Sequence, residues 1–271
     1  MVRVAIITED DVVWALPTWE RAVPLLRSEG FDVVGLWTCP VNMVGRGQFS
    51  VAAWYLKTFG ILDFFRICMF AVLARCCQVI GSMLWQRCRS FVRLANLYNI
   101  EYGVTPSPNN ERFITWLNDN EVDILLIMVG HILRGDVIST PRKGCINKHA
   151  SILPASKGLF PYLWSHLDKI PQGVSFHEVN EQIDEGRILY QELVSDLHTQ
   201  SMISFYVYVF KSYPKMVISA TRALLEERLI EPQAEVKGTY YGLPRARDVR
   251  RFRKSNGIVI RWRDILKAIN L

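Results

Sequence analysis

Two kinds of apolar pattern alternate along the chain. Short runs of Val, Ile and Leu recur at "RVAIIT" (3–8), "FDVVGLW" (31–37) and "VDILLIMVG" (122–130). Runs of this length with so few polar residues predict strands buried on both faces, as in a parallel sheet. Between them, apolar residues fall at helical spacing. "LPTWERAVPLLRSEG" predicts a helix ending at Gly30, and "NNERFITWLND" (109–119) predicts another, preceded by the strand "EYGV" (101–104). Strand, helix and strand in this order predict βαβ units. The alternation continues through the strand "GCINKHA" (144–150), the helix "PYLWSHLDK" (161–169) and the strands "GVSFHEV" (173–179) and "RILYQELV" (187–194). A helical pattern over about 202–229, interrupted by Pro214, closes this core. Pro232 and "KGTYYGLP" change the style, which divides the chain into a core, 1–231, and a small C-terminal appendage, 232–271.

One stretch departs from the alternation. Residues 49–98 are rich in aromatic and aliphatic side chains, yet Lys57, Asp63, Arg66 and Arg75 interrupt them. The uncharged run in the centre, Ile67–Ala74, is eight residues, against the roughly 20 that cross a bilayer. No transmembrane span is expected. The stretch predicts an apolar helical insertion, a pair of helices buried against the sheet or against a second subunit of a homodimer. A second reading, suggested by the Arg residues with Trp54 and Trp85, is an interfacial amphipathic helix.

Composition narrows the class. The chain has 271 residues, 50% of them hydrophobic and 21% charged. That suits one large domain with a core that needs no covalent staples. The net charge of +6 is weighted late in the chain; it fits phosphate-bearing partners rather than a dedicated nucleic-acid binder. Six cysteines include no C-x-x-C pair, so no metal site is expected. The start, "MVRVAIITEDD", has no long apolar run, and reduced cysteines in a cytoplasmic protein are expected. "TEDDVVWALP" after the first strand lacks the glycines of a dinucleotide site, and no P-loop pattern occurs.

The candidate chemistry lies in "GCINKHASILPASKG" (144–158). Asn147, His149 and Ser151 stand at alternate positions, which places them on one face of an extended segment. By itself this could be a strand end tied to a loop. A second cluster argues for more: "GVSFHEVNEQIDEG" carries His177 on a strand and Asp184 in an acidic loop that closes at Gly186. An amide, an imidazole and a carboxylate on one face form a proton-transfer and oxyanion-stabilising set. Ser151 lacks the G-x-S-x-G setting of a nucleophile. Direct transfer between two bound substrates needs no enzyme nucleophile.

These residues resemble the formyltransferases that use 10-formyltetrahydrofolate. Their shared pattern, N-x-H-x-S-x-L-P-x-x-x-G, then G-[VT]-[ST]-x-H, then D-x-G, reads here as "NKHASILPASKG", "GVSFH" and "DEG". The resemblance covers roughly 1–200 and is dense from 122 to 196. It implies a Rossmann-like α/β core, a mostly parallel twisted sheet flanked by helices. It also implies that Asn147 hydrogen-bonds the formyl oxygen. His149, as an imidazolium, would stabilise the oxyanion. Asp184 would orient a water and His149 and help to remove the amine proton. The turn Gly130, His131, Ile132 and Leu133 and the loop residues Asn180, Glu181 and Ile183 would hold the pterin of the donor. Lys148 and Ala150 stand where relatives often have an apolar residue and Pro, and the insertion 49–98 is longer than in the smallest members.

The acceptor amine is read from the C-terminal part. Methionyl-tRNA formyltransferases usually add a β-barrel of about a hundred residues, and only about forty follow residue 231. The basic run "PRARDVRRFRK" (244–254) reads as a solvated helix before it reads as an RNA contact. Glycinamide ribonucleotide formyltransferases are near-minimal. Amino-sugar formyltransferases carry short, varied additions, and "GTYYGLPRARDVRRFRKSNGIVI" resembles theirs. The resemblance thus implies N-formylation of a small amine, a nucleotide-linked amino sugar before the tRNA or glycinamide ribonucleotide types. A reading from another class is a non-catalytic scaffold docked to a membrane or partner through 49–98.

Overall fold

Apolar runs without polar interruption are satisfied only between two covering layers, and the chain builds that arrangement. The computed structural model describes residues 1–41, 48–84, 87–230 and 233–270. The elements run β1 (Val2–Glu9), α1 (Ala15–Ser28), β2 (Phe31–Cys39), α2 (Gln48–Leu84), α3 (Phe91–Leu97), β3 (Glu101–Val104), α4 (Glu111–Asp119), β4 (Ile124–Met128) and α5 (Gly135–Ser139). They continue with β5 (Gly144–His149), β6 (Lys157–Gly158), α6 (Pro161–Leu167), β7 (Gly173–Glu178), β8 (Ile188–Leu193), α7 (Met202–Leu225), β9 (Tyr240–Tyr241), α8 (Ala246–Lys254) and α9 (Trp262–Ile265), which ends in a 3-10 turn, Leu266–Asn270.

Seven strands form one sheet in the order β3-β2-β1-β4-β5-β7-β8. β1 to β5 are mutually parallel, and β7 runs antiparallel to both β5 and β8. The two-residue alternation sorts the core. Val4, Ile6, Leu126 and Ile146 face α1 and α7, while Ala5, Ile7, Leu125 and Cys145 face Phe113 and Leu117 of α4. The order reverses between β1 and β4, which opens a crevice at the carboxyl ends of the strands. On its β1 side the turn into α1 is closed by Asp11, whose Oδ1 accepts from the N–H groups of Val13 (2.8 Å) and Trp14 (3.0 Å).

Pro214 does not interrupt α7, which is continuous through it. A proline removes the N–H that would bond the carbonyl four residues earlier. Here that carbonyl, of Phe210, lies 3.4 Å from Thr18 Oγ1 and 3.5 Å from Arg21 Nη2, both donors from α1. The neighbouring helix replaces the lost partner.

The insertion is only partly buried within one chain. α2 runs 37 residues, with one left-handed residue, Gly60 (φ 78, ψ 166), marking a break. One face packs inward through Phe59, Asp63, Phe70, Ala74 and Gln78. Asp63 there pairs with Arg66 (3.1 Å) and with Arg253 of α8 (2.7 Å). The opposite face is apolar and exposed. By length and composition Ser50–Leu84 could cross a membrane, and only 22% of its apolar window is buried. Of the charges that shorten its uncharged runs, Asp63 is buried, Arg66 bonds to Asp63 and Arg75 to the buried Gln78, while Lys57 is exposed. Trp85 and the expected boundary at 231–232 lie outside the described residues.

The C-terminal segment shares the main core: Phe252, Val259, Ile260, Ile265 and Ala268 are buried in the same cluster as α1 and α7. Asp264, fully buried, accepts from Ser201 Oγ (2.6 Å) and Ser204 Oγ (2.9 Å) at the start of α7.

Candidate active site

A cavity of about 810 Å³ opens at the crevice where the carboxyl ends of β1, β4 and β5 meet. All ten residues expected from the sequence border it: Asn147, His149 and Asp184, the turn Gly130, His131, Ile132 and Leu133, and the loop residues Asn180, Glu181 and Ile183.

The strand β5 delivers the first two. Asn147 and His149 face the same way, and β7 pairs with them in antiparallel register, Asn147 opposite His177 and His149 opposite Ser175. The Asn147 side chain has no hydrogen-bond partner among the described residues, so its amide is free toward the cavity. Ser151 does not join them. The strand ends at His149, the backbone turns, and Ser151 Oγ donates to Ala155 O (2.6 Å) in full burial.

The turn that follows is pinned by buried hydroxyls. Ser175 Oγ donates to Ser151 O (2.7 Å) and accepts from Leu153 N (3.0 Å) and Gln191 Nε2 (2.9 Å). Thr239 Oγ1, from the C-terminal segment, accepts from Ser156 N (2.9 Å). The result is a fixed Ser156 carbonyl, which accepts from His149 Nε2 at 2.9 Å.

Asp184 reaches the same place from the β7–β8 connection. Its backbone is left-handed (φ 53), a conformation that Asp tolerates better than most residues. Two residues on, only glycine fits: a Cβ on Gly186 would lie 1.7 Å from the Glu178 carbonyl oxygen. This is the physical content of D-x-G. Asp184 Oδ2 accepts from Gly158 N (2.9 Å) and lies 3.4 Å from His149 Nδ1, while Oδ1 lies 3.4 Å from His177 Nε2. His177 Nδ1 donates to Glu178 O (2.9 Å), and its buried Nε2 has ion-pair proximity to Asp184 but no closed hydrogen bond. Each ring has one nitrogen committed to a carbonyl. The nitrogen facing Asp184 therefore carries a proton only when that ring is charged.

The electrostatics follow. Burial would raise the Asp184 carboxyl, but His177, the positive field available from His149 and the Gly158 N–H outweigh it and hold it at about 2. Burial lowers His149 below its ordinary 6.5, with Asp184 and the Ser156 carbonyl pulling the other way. Burial thus works against the imidazolium form that the resemblance implies for His149, and Asp184 works for it. Lys148, between the two site residues, points to the α7 side; its ammonium lies 4.0 Å from the Phe210 ring centroid, and burial lowers it to about 8.

Several lining residues escaped the sequence reading. Glu9 at the end of β1 accepts from Gly130 N (3.0 Å). Asn109 donates through Nδ2 to Ile132 O (2.9 Å) and accepts from Arg134 N (2.8 Å). Together they fix the turn 130–134. Tyr240 borders the cavity because β9 pairs with β6, which follows the Ser156 turn. A polar residue at a strand end and an Asn just before a helix were the available signals.

An open doubly wound sheet with its polar cleft at the topological switch is a ligand-binding α/β protein. Residues 95–221 match the family described as formyl transferase. The methionyl-tRNA formyltransferase of Prochlorococcus marinus is 31% identical over 124 residues, 45% of this chain and 37% of that protein. The GDP-perosamine N-formyltransferase of Brucella melitensis is 29% identical over 115 residues, 42% of this chain and 44% of that protein. The chain thus matches less than half the length of these relatives. A sugar 3N-formyl transferase, solved in the presence of dTDP and 5-N-formyl-THF, superposes with a TM-score of 0.53 at 15% identity, over 89% of this chain and 70% of that one.

Proposed function

We propose that the protein is an N-formyltransferase that moves the formyl group of 10-formyltetrahydrofolate to the amine of a nucleotide-linked amino sugar. The observation that carries the reading is the convergence of Asn147, His149 and Asp184 on one cavity, beside the turn 130–133 and the loop 180–183. The family match supports formyl transfer, the folate in the sugar 3N-formyl transferase structure supports the donor, and the Brucella relative supports the acceptor class.

In this reading the amine lone pair attacks the formyl carbon, and the carbonyl electrons move to oxygen. Asn147 donates to that oxyanion. Neutral His149 takes the proton that the attacking nitrogen sheds. The imidazolium so formed lies between the Ser156 carbonyl and the Asp184 carboxylate, which stabilise it, and it supports the same oxyanion. Its proton then passes to N10 of the donor as the C–N10 bond breaks, releasing tetrahydrofolate and the formamide. Asp184, held at about 2, is too weak a base to keep the amine proton itself and serves as the fixed anion beside His149.

The Prochlorococcus relative favours a second reading, methionyl-tRNA as acceptor, with the basic helix α8 toward RNA. One experiment separates the two. The protein is incubated with 10-formyltetrahydrofolate and, in parallel, a panel of GDP- and dTDP-linked amino sugars and methionyl-tRNA, with products weighed by mass spectrometry. A gain of one formyl group on a sugar nucleotide supports the proposal. Formylation of the tRNA alone, or of neither, rejects it.

A further inference from the structure

The outward face of α2 is the feature that formyl transfer does not use. Ile61, Phe65, Met69, Val72, Ile80 and Met83 recur at helical spacing, and Ile61, Val72 and Met83 are 78%, 63% and 71% exposed. No exposed position of the helix from 61 to 84 carries a charge. The stripe is about 33 Å long at 1.5 Å per residue. The C-terminal helices widen it with Trp262, Leu266 and Ile269, which are exposed, and the Phe65 and Trp262 rings lie 6.5 Å apart. Contiguous apolar surface of this extent marks an interaction site.

The surroundings say what covers it. α8, joined to α2 through the Arg253–Asp63 pair, exposes Arg247, Arg250, Arg251, Arg253 and Lys254 and no acid. Asp63, Asp248 and Asp264, the acids in this region, are buried. Arg263 adds an exposed cation beside Trp262, over whose ring the Arg66 guanidinium sits at 4.7 Å. An apolar stripe with an aromatic edge and a purely cationic rim complements the acyl boundary and headgroups of an anionic bilayer. A second copy docked stripe to stripe would bring one cationic rim against the other. A spanning helix would carry the Asp63, Arg66 and Gln78 face into hydrocarbon, whereas that face is packed on the core.

We infer that the protein docks reversibly, in the plane of the interface, on an anionic lipid surface through the outward face of α2 and the C-terminal helices, with α8 supplying the electrostatic attraction. The docked helix also reaches the site: Trp54 packs on Phe160 (5.2 Å), which follows Leu159 at the cavity edge.

The test is co-sedimentation of the full chain with vesicles of phosphatidylcholine, alone or with about a third phosphatidylglycerol. Binding to the anionic vesicles is expected, weakening as salt is raised. Phe65→Glu and Val72→Glu should each reduce it at least ~10-fold, since each removes a large apolar side chain from the buried contact. Both side chains are exposed in the free protein, so melting temperature should not move. Arg250→Glu with Arg251→Glu should abolish the preference for anionic vesicles and leave the melt unchanged. Three results overturn the inference: the full chain stays in the supernatant with both vesicles; light scattering shows a dimer that Val72→Glu dissociates, which makes a second copy the occupant; or the protein resists extraction by alkaline carbonate, which makes the helix a span.

Discussion

Asp184 lies 3.4 Å from a ring nitrogen of each of two histidines, and its charge sets the signs at this site. Burial dominates His149, so a proton-NMR titration should find its midpoint below 6.5. Asp184→Asn removes the one nearby anion and should move that midpoint lower still; an upward shift would show that the carboxylate does not act on the ring. If neutral His149 accepts the amine proton, its protonation lowers the rate as pH drops through this lowered midpoint, in addition to the loss from protonation of the acceptor amine itself. Asp184→Asn and His149→Ala should each cost at least ~100-fold in kcat at saturating donor, with the fold kept by circular dichroism. Stability follows a different window. The Asp184 pKa of about 2 lies below its ordinary 3.8, so its contribution is complete above 3.8 and lost as pH falls toward 2. Gly186→Ala acts through sterics. Its Cβ would meet the Glu178 carbonyl at 1.7 Å, the backbone must shift, and about 2–3 kcal/mol of stability should be lost in urea denaturation.

Among the elements, the strand β5 shows what a sequence can and cannot reveal. Alternation by two places Asn147 and His149 correctly, because both lie within one strand. It misplaces Ser151, because periodicity does not announce where a strand stops and a turn begins. The turn 130–133 was legible as a motif, yet the side chains that fix it were not. Glu9 is 121 residues from Gly130, and no local pattern reports a contact at that separation. Pro214 misled for the same reason, since the donors that rescue Phe210 O belong to another helix. Among the hydroxyls that pin the Ser156 turn, Ser175 Oγ joins β7 to the backbone at Ser151 and Leu153. Ser175→Ala should therefore cost about 1–3 kcal/mol in thermal melts. It should lower kcat more than it raises KM, because the Ser156 carbonyl that steadies His149 loses its support.

At the scale of the whole molecule, the residues after 232 are structurally committed to the rest. They supply Thr239 and Tyr240 to the site and Asp264 to the start of α7. Removing residues 233–271 should give an insoluble or molten product, checked by expression and near-ultraviolet circular dichroism; a soluble truncation with native melting would refute this. The sequence suggested an appendage because Pro232 and "KGTYYGLP" change the style of the chain, and only the three-dimensional packing shows that apolar side chains beyond them enter the main core. The Asp11 turn has a consequence for selection among substrates. In doubly wound enzymes, free N–H groups after the first strand commonly offer a berth to a ligand phosphate. Here the Asp11 carboxylate already occupies the N–H groups of Val13 and Trp14, flanked by Glu9 and Asp10. The berth is filled from within. An acceptor that must seat a phosphate there is turned away by repulsion, and millimolar inorganic phosphate should fail to compete with the true acceptor; competitive inhibition would mean that the self-filled berth can be opened.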